Sequence, residues 1–299
     1  MVTCTANFFA SSRDKTMAIL LNKDTHVIIQ GITGHHGSIH ARLMQEYGTR
    51  IVAGVTPGRK GQEVDGIPVY DTVRQALQRH RVQWSVIFVP SAHAKDAAIE
   101  ALRAGLHLVI ITEHVPVHDA IDIHSEARRH RRIVIGPNCP GLVVPGICKI
   151  GIMPNDIFLP GDVGVVSRSG TLTYEIVHTL TKKGIGQSAV IGCGGDPVPG
   201  MDFIDVLRLF EKDKKTKRIV LIGEIGGNFE ERAAKHIRRC VSKPVVAYIA
   251  GRCAPKDKRM GHAGAIISGE AGTAETKIRA LKDAGVKIAR LPSDVVRLL

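Results

Sequence analysis

The sequence predicts an α/β protein made of two open, mostly parallel sheets in tandem. Three observations carry this. Short, continuous apolar runs alternate with amphipathic stretches of helix length. The alternation is interrupted once, by a Pro- and Gly-rich stretch, and then restarts. Gly-rich or small-residue turns follow the runs. Strands that are apolar throughout are buried on both faces, as in a parallel sheet covered by helices on both sides. At 299 residues the chain has room for about two such domains, each with its own core.

Residues 1–16, MVTCTANFFASSRDKT, lack periodicity and read as an N-terminal extension, with Met17 as an alternative start. Few cations and the acidic Asp14 speak against a transit peptide. From Thr25 the strands are THVIIQ (25–30), RIVAGV (50–55), WSVIFVP (84–90), HLVIIT (107–112) and RIVIGP (132–137). A helix is expected around 37–47, and ALQRH, KDAAIEALRAG and IDIHSEARRH mark the others. The stretch from Asn138 to Gly161 carries Pro140, Gly141, Pro145, Gly146, Pro154 and Pro160 without periodicity, which marks a boundary. It divides the chain into domains at 17–140 and 162–299, with a linker at 141–161. The second domain offers strands VGVVS (163–167), SAVIG (188–192), RIVLIGE (218–224), PVVAYIAG (244–251) and KIARL (287–291), with MDFIDVLRLF and EERAAKHIRRC as helices.

Composition excludes several classes. A 44% hydrophobic content is that of a globular chain, and no run approaches the ~20 apolar residues of a membrane helix. The 6 Cys are scattered with no C-x-x-C spacing, which speaks against a zinc ribbon or a disulfide scaffold and suggests a reducing compartment. The 41 Lys+Arg exceed the 28 Asp+Glu, giving +13. That excess could serve nucleic acid, an acidic partner or a phosphorylated ligand. The 4% aromatic content, without aromatic–basic interleaving, argues against stacking on single strands.

In open α/β sheets ligands bind beyond the carboxyl ends of the strands. The first such loop is Gly31-Ile32-Thr33-Gly34-His35-His36-Gly37, a Gly-rich turn opening a helix, which can offer N–H groups to phosphate. Its spacing is G-x-x-G-x-x-G, not the dinucleotide G-x-G-x-x-G, and glycine that only permits a tight turn is the other reading. The second strand ends in Thr56-Pro57-Gly58-Arg59-Lys60, where an NAD site would have an acid. Cations there suit a phosphate near a ribose, as in NADP or coenzyme A; a solvated turn is the other reading. Further strand ends place Ile111-Thr112-Glu113-His114 on the crevice. No H-E-x-x-H or close carboxylate–His spacing marks a metal site.

In the second half, VGVVS leads into Ser167-Arg168-Ser169-Gly170-Thr171 at a helix start, a place that favours an anion and also suits an ordinary Ser N-cap. Glu224 closes an apolar strand among glycines, placed to cap the next helix or to orient another side chain. After PVVAYIAG a basic loop carries His262 between Gly261 and Gly264. A histidine so placed can act as acid/base or as a nucleophile toward phosphorus.

These residues resemble one family. QGITG (30–34), GVTPG (54–58), GPNCPG (136–141), KIGIMP (149–154), VSRSGTLTYE (166–175), GGDP (194–197), LIGEIGGN (221–228) and KRMGHAGAI (258–266) stand in the order seen in succinate–CoA ligase (succinyl-CoA synthetase) α subunits. The likeness covers nearly the whole chain from Met17. It implies a Rossmann-like CoA-binding domain followed by a flavodoxin-like ligase domain. It implies that a nucleoside triphosphate phosphorylates His262, that the phosphoryl group passes to succinate, and that CoA takes the acyl group. It gives Glu224 the task of orienting His262, and Ser169, Gly170 and Thr171 the task of cradling phosphate. It places CoA on Thr33, Gly34, His35, His36, Arg59, Ile111, Thr112 and Glu113, and substrate near Tyr174. His35 and His36 depart from the small or polar residues expected there. The resemblance puts ATP or GTP and Mg²⁺ on a partner β subunit, in an αβ or α2β2 assembly, because this chain shows no P-loop. It implies a cytoplasmic enzyme in a prokaryote and a mitochondrial-matrix one in a eukaryote, with no nucleic-acid or membrane partner. Competing readings are a related ligase for another dicarboxylate, a non-catalytic CoA or nucleotide sensor, and an NADP-dependent oxidoreductase.

Overall fold

A computed structural model describes residues 19–255, 260–267 and 272–299. The extension expected at 1–16 and the cationic stretch 256–259 lie outside them.

The first sheet contains β1 (His26–Gln30), β2 (Arg50–Val55), β3 (Glu63–Val64), β4 (Ile67–Tyr70), β5 (Trp84–Ile87), β6 (His107–Ile110) and β7 (Val134–Ile135), in the order β3-β4-β2-β1-β5-β6-β7. All neighbours are parallel except β3, which runs antiparallel to β4. Leaving out that short edge strand, this is the doubly wound order in which direction reverses beside the first strand. The reversal falls between β1 and β5, so the loops after these two strands flank a crevice. Gly31 (φ +83°) makes the approach possible, since a Cβ there would sit 3.2 Å from the backbone of Phe88 and Val89. The helices are α1 (His35–Glu46), α2 (Val73–Leu77), α3 (Ser91–Arg103) and α4 (Val117–His130).

The β3–β4 pair is absent from the sequence reading. It is joined by Asp65-Gly66, both at positive φ, the two-residue turn that matches strand twist. Its strands are too short to give a periodic signal.

The second sheet corrects the expected linker. Residues Gly141–Val144 (β8) and Cys148–Gly151 (β9) form a buried hairpin that pairs antiparallel onto β11. The glycines that read as loop serve close backbone contact. A Cβ at Gly141 would lie 2.0 Å from the Ile150 carbonyl oxygen, and one at Gly151 would lie 2.3 Å from that of Pro140. The parallel strands are β10 (Pro160–Ser167), β11 (Gln187–Gly192), β12 (Arg218–Glu224), β13 (Val245–Ala250) and β14 (Lys287–Ala289), in the sheet order β14-β13-β12-β10-β11-β8-β9. This is the flavodoxin-like order, with its switch point between β10 and β12. The helices are α5 (Gly170–Lys182), α6 (Phe203–Lys212), α7 (Phe229–Cys240), α8 (Ala274–Asp283) and the short α9 (Val295–Leu298).

One core cluster runs through both sheets, joining Trp84, Val109 and Ile135 to Leu142, Ile150, Phe203 and Phe210. Among the described residues no helix is long and apolar enough to cross a membrane.

Candidate active site

Each functional side chain of the second sheet arrives from a strand end. Glu224 is the last residue of β12, and Arg168 and Ser169 follow β10, which is bonded to β12. His262 comes from the loop beyond β13. That loop is pinned by Met260 N–H to the Ala265 carbonyl (2.9 Å) and Gly264 N–H to the Gly195 carbonyl (3.1 Å). The imidazole lies against Gly195, where a Cβ would stand 2.3 Å from His262 Cγ. Glycine is required there to make room for the ring.

His262 Nδ1 is 2.9 and 2.8 Å from the two Glu224 oxygens. A carboxylate only accepts, so Nδ1 carries the hydrogen and the neutral ring keeps its lone pair on Nε2. The Glu224 hydrogen bond raises the His262 pKa, opposed by burial and by the charge of Arg168. The side chain is 29% exposed, which leaves a path to an incoming group.

Arg168, within the turn that the sequence marks as favouring an anion, is buried. It is only 3% exposed, with Glu224 and Glu230 each at 3.5 Å and the Phe229 ring at 5.0 Å. Glu230 and its partner Lys277 (2.6 Å) were not singled out from the sequence. They sit on α7 and α8, and nothing in helical periodicity marks a lysine as buried.

Ser169 is the N-cap of α5, its Oγ accepting from Leu172 N–H at 3.4 Å and lying 3.4 Å from Thr171 Oγ1. The cap and the anion cradle are compatible, because the first N–H groups of the helix keep no intrahelical partner. Tyr174 stands one turn on, its hydroxyl 3.7 Å from where a Gly170 Cβ would be, and burial pushes its phenol up to about 12.

At the first sheet, Gly34 is the N-cap of α1, and no side chain caps the helix beside exposed His35 and His36. Gly37 packs under the turn, where a Cβ would meet the Gly31 carbonyl oxygen at 2.2 Å. Thr33 Oγ1 donates to Thr56 Oγ1 at 3.2 Å, tying the ends of β1 and β2 together. Arg59 and Lys60 are exposed, and both their N–H groups donate to Asp71 Oδ1 at 3.1 Å. An acid therefore does stand near this turn, but it comes from the end of β4 and shapes the backbone. Thr112 Oγ1 donates to the Val89 carbonyl at 2.7 Å, Ile111 is half-buried and Glu113 is exposed.

Asn138 joins the two edges. Its N–H donates to the Thr112 carbonyl (3.0 Å), its carbonyl accepts from Gly195 N–H (3.2 Å), and its Nδ2 donates to Asp196 Oδ1 (3.0 Å). Asp196 is buried, which raises its pKa, and it feels His114 and His262 as well as Glu113. The segment after β6 is thus bonded through Asn138 to the Gly195–Asp196 loop, which also holds Gly264 of the His262 loop. Among the described residues no group of three or more His, Cys, Asp or Glu could hold a metal ion.

Two family models match the chain. Residues 22–114 match the CoA binding domain family and residues 166–287 the CoA-ligase family. Succinate–CoA ligase [ADP-forming] subunit alpha 1 of Archaeoglobus fulgidus is 55% identical over 94% of this chain and 97% of its own. The corresponding subunit of Aquifex aeolicus is 53% identical over 93% of this chain and 92% of its own. The chain belongs to the succinate–CoA ligase α-subunit family. Among solved structures, ATP citrate lyase from Methanothrix soehngenii, in complex with citrate and coenzyme A, superimposes with a TM-score of 0.87 at 27% identity over 94% of this chain. The chain spans about half of that lyase, covering 50% of its length. As a member of this family the chain is of CoA-ligase type, and its two sheets carry the CoA-binding and CoA-ligase matches in that order.

Proposed function

We propose that this chain carries the phosphoryl relay of an ADP-forming succinate–CoA ligase, with His262 as the group that is transiently phosphorylated. The observation that supports it most is the Glu224–His262 pair. A carboxylate holds Nδ1–H, so Nε2 presents its lone pair from a loop that two glycines leave free of side-chain bulk. In the first step Nε2 attacks the terminal phosphorus of the triphosphate, the P–O bond to the diphosphate breaks, and the imidazolium charge that develops is met by Glu224. The N-terminus of α5 at Ser169, Gly170 and Thr171 then faces the transferred group with its N–H donors. A carboxylate oxygen of succinate displaces His262 from phosphorus to give an acyl phosphate. The CoA thiol, losing its proton, then attacks the acyl carbon, the bond from that carbon to the phosphate oxygen breaks, and inorganic phosphate leaves as the thioester forms.

The first sheet fits CoA. The uncapped start of α1 at Gly34–His36 suits its phosphates, and Arg59 suits the phosphate on its ribose. Ile111, Thr112 and Glu113 line the edge that leads through Asn138 to His262, and Tyr174 lies beside the substrate. The nucleotide and Mg²⁺ belong on a partner β subunit, and the relatives' names favour ATP. In a prokaryote the enzyme works in the cytoplasm.

The test is incubation of the chain with its β partner and γ-labelled ATP. Acid-labile, base-stable phosphate should appear on the wild type and be absent from His262→Ala. Equal labelling of the two proteins would overturn the reading. Assays with several dicarboxylates and both nucleotides then assign the substrate.

A further inference from the structure

Arg168 is a buried guanidinium that makes no full hydrogen bond: Nε, Nη1 and Nη2 all lack a partner within hydrogen-bonding geometry. Buried polar nitrogens are costly unless something compensates them. Here the compensation is electrostatic. Nη2 lies 3.5 Å from Glu224 Oε1, Nη1 lies 3.5 Å from Glu230 Oε1, and the Phe229 face lies 5.0 Å away. Glu230 is fixed on its other side. Its Oε1 accepts from Glu224 N–H at 3.2 Å, and its Oε2 takes the fully buried Lys277 Nζ at 2.6 Å. Lys277 also donates to the Gly227 carbonyl and to Glu231, both at 3.0 Å. Gly264, in the His262 loop, leaves room for the guanidinium, since a Cβ there would lie 2.8 Å from Nη2.

We infer that Arg168 is a positioning residue for the Glu224–His262 pair, held in place by the buried Glu230–Lys277 pair. The chain of charges runs His262, Glu224, Arg168, Glu230, Lys277, from three strand ends and two helices. Its members alternate in sign behind the imidazole. Asp196, from the loop after β11, is the other charged group that His262 feels. This inference rests on the reading of His262 as the phosphoryl acceptor.

The alternation sets the sign of each perturbation. Arg168 opposes protonation of His262, and Glu224 and Asp196 favour it. Removing the Arg168 cation should make the imidazole hold its proton to higher pH. Less neutral His262 is then available near pH 6. Removing the Glu230 anion leaves Arg168 and Lys277 uncompensated and should shift the same limb to lower pH.

The experiment compares wild type, Arg168→Gln, Arg168→Lys and Glu230→Gln, each assembled with the β partner. It records the rate of label uptake from γ-labelled ATP between pH 5.5 and 9, together with the ¹⁵N titration of the His262 ring. Arg168→Gln should lose about threefold or more at pH 6 relative to its own rate at pH 9, Arg168→Lys should restore the wild-type profile, and Glu230→Gln should move the opposite way. Rates that fall equally at all pH values, with unmoved ring titrations, would overturn the inference. If Arg168→Gln does not fold, the Glu230→Gln displacement decides alone. Absence of label on the wild type would instead sink the phosphohistidine reading, while the ring titrations would still report on Arg168.

Discussion

Glu224 and His262 are 38 residues apart in sequence and share two short contacts in space. Replacing Glu224 with Gln keeps the volume but removes the charge that raises the His262 pKa. The acid limb of label uptake should therefore move to lower pH, because less pull keeps the proton on the ring. The plateau should fall by roughly a hundredfold, since an amide can hold either tautomer and does not stabilise the imidazolium. A pH–rate profile with an unmoved limb would remove Glu224 from the relay. At the other edge, Arg59→Ala should weaken CoA by roughly ten- to a hundredfold, the worth of a charge-assisted contact, and leave dephospho-CoA unchanged. Competitive binding with the two ligands reads this directly. His262, Glu224 and Arg59 stand out in the sequence because each falls at or beyond the end of an apolar strand, where open sheets gather their chemistry. Arg168 was legible as a charge but not as a buried one. Asp196 and Asn138 sat inside recognisable motifs, yet their bonding depends on how two sheets meet, which no local pattern encodes.

The elements show the same division. Ten strand candidates follow from apolar runs, and each is matched by a strand, with β7 cut to Val134–Ile135. Their lateral order was not legible from periodicity, which gives each strand but not its neighbours. The order came with the family resemblance and is realised through parallel crossovers. The β8–β9 hairpin was misread because Gly and Pro signal loops when seen alone, whereas here they permit contact between backbones. Gly141 is the sharpest case, with φ +97° and no room for a side chain beside the Ile150 carbonyl. Gly141→Ala should cost on the order of 3 kcal/mol or more and be read as a lower urea midpoint with an unchanged slope. Asn138→Ala, by contrast, removes the side-chain donor that satisfies Asp196 and should cost about 1–3 kcal/mol.

Across the whole molecule, charge is sorted by edge. The last turns of α3, α4, α6, α7 and α8 carry Arg103, Arg128, Arg129, Lys212, Arg238, Arg239 and Lys282. Cations there complement the negative ends of the helices and lie away from the strand ends that hold the site. Much of the +13 therefore needs no ligand. Lys149 is another buried cation, enclosed where α1 meets the β8–β9 hairpin. Its Nζ donates to the Met153 carbonyl (2.9 Å) and to Asn155 Oδ1, while Asn155 Nδ2 donates to the Leu43 carbonyl near the end of α1 (2.9 Å). Burial pulls its pKa from 10.5 down to about 8. Between those two values the unfolded chain binds the proton and the folded chain does not, so stability contributed by this group rises with pH across that window. Lys149→Met should erase the rise. Urea unfolding at pH 7, 8.5 and 10 should show the wild type gaining on the variant by up to about 3 kcal/mol, on top of a pH-independent offset from the lost hydrogen bonds. A difference that stays constant from pH 7 to 10 would mean that this lysine keeps an ordinary proton affinity at the seam between the two sheets.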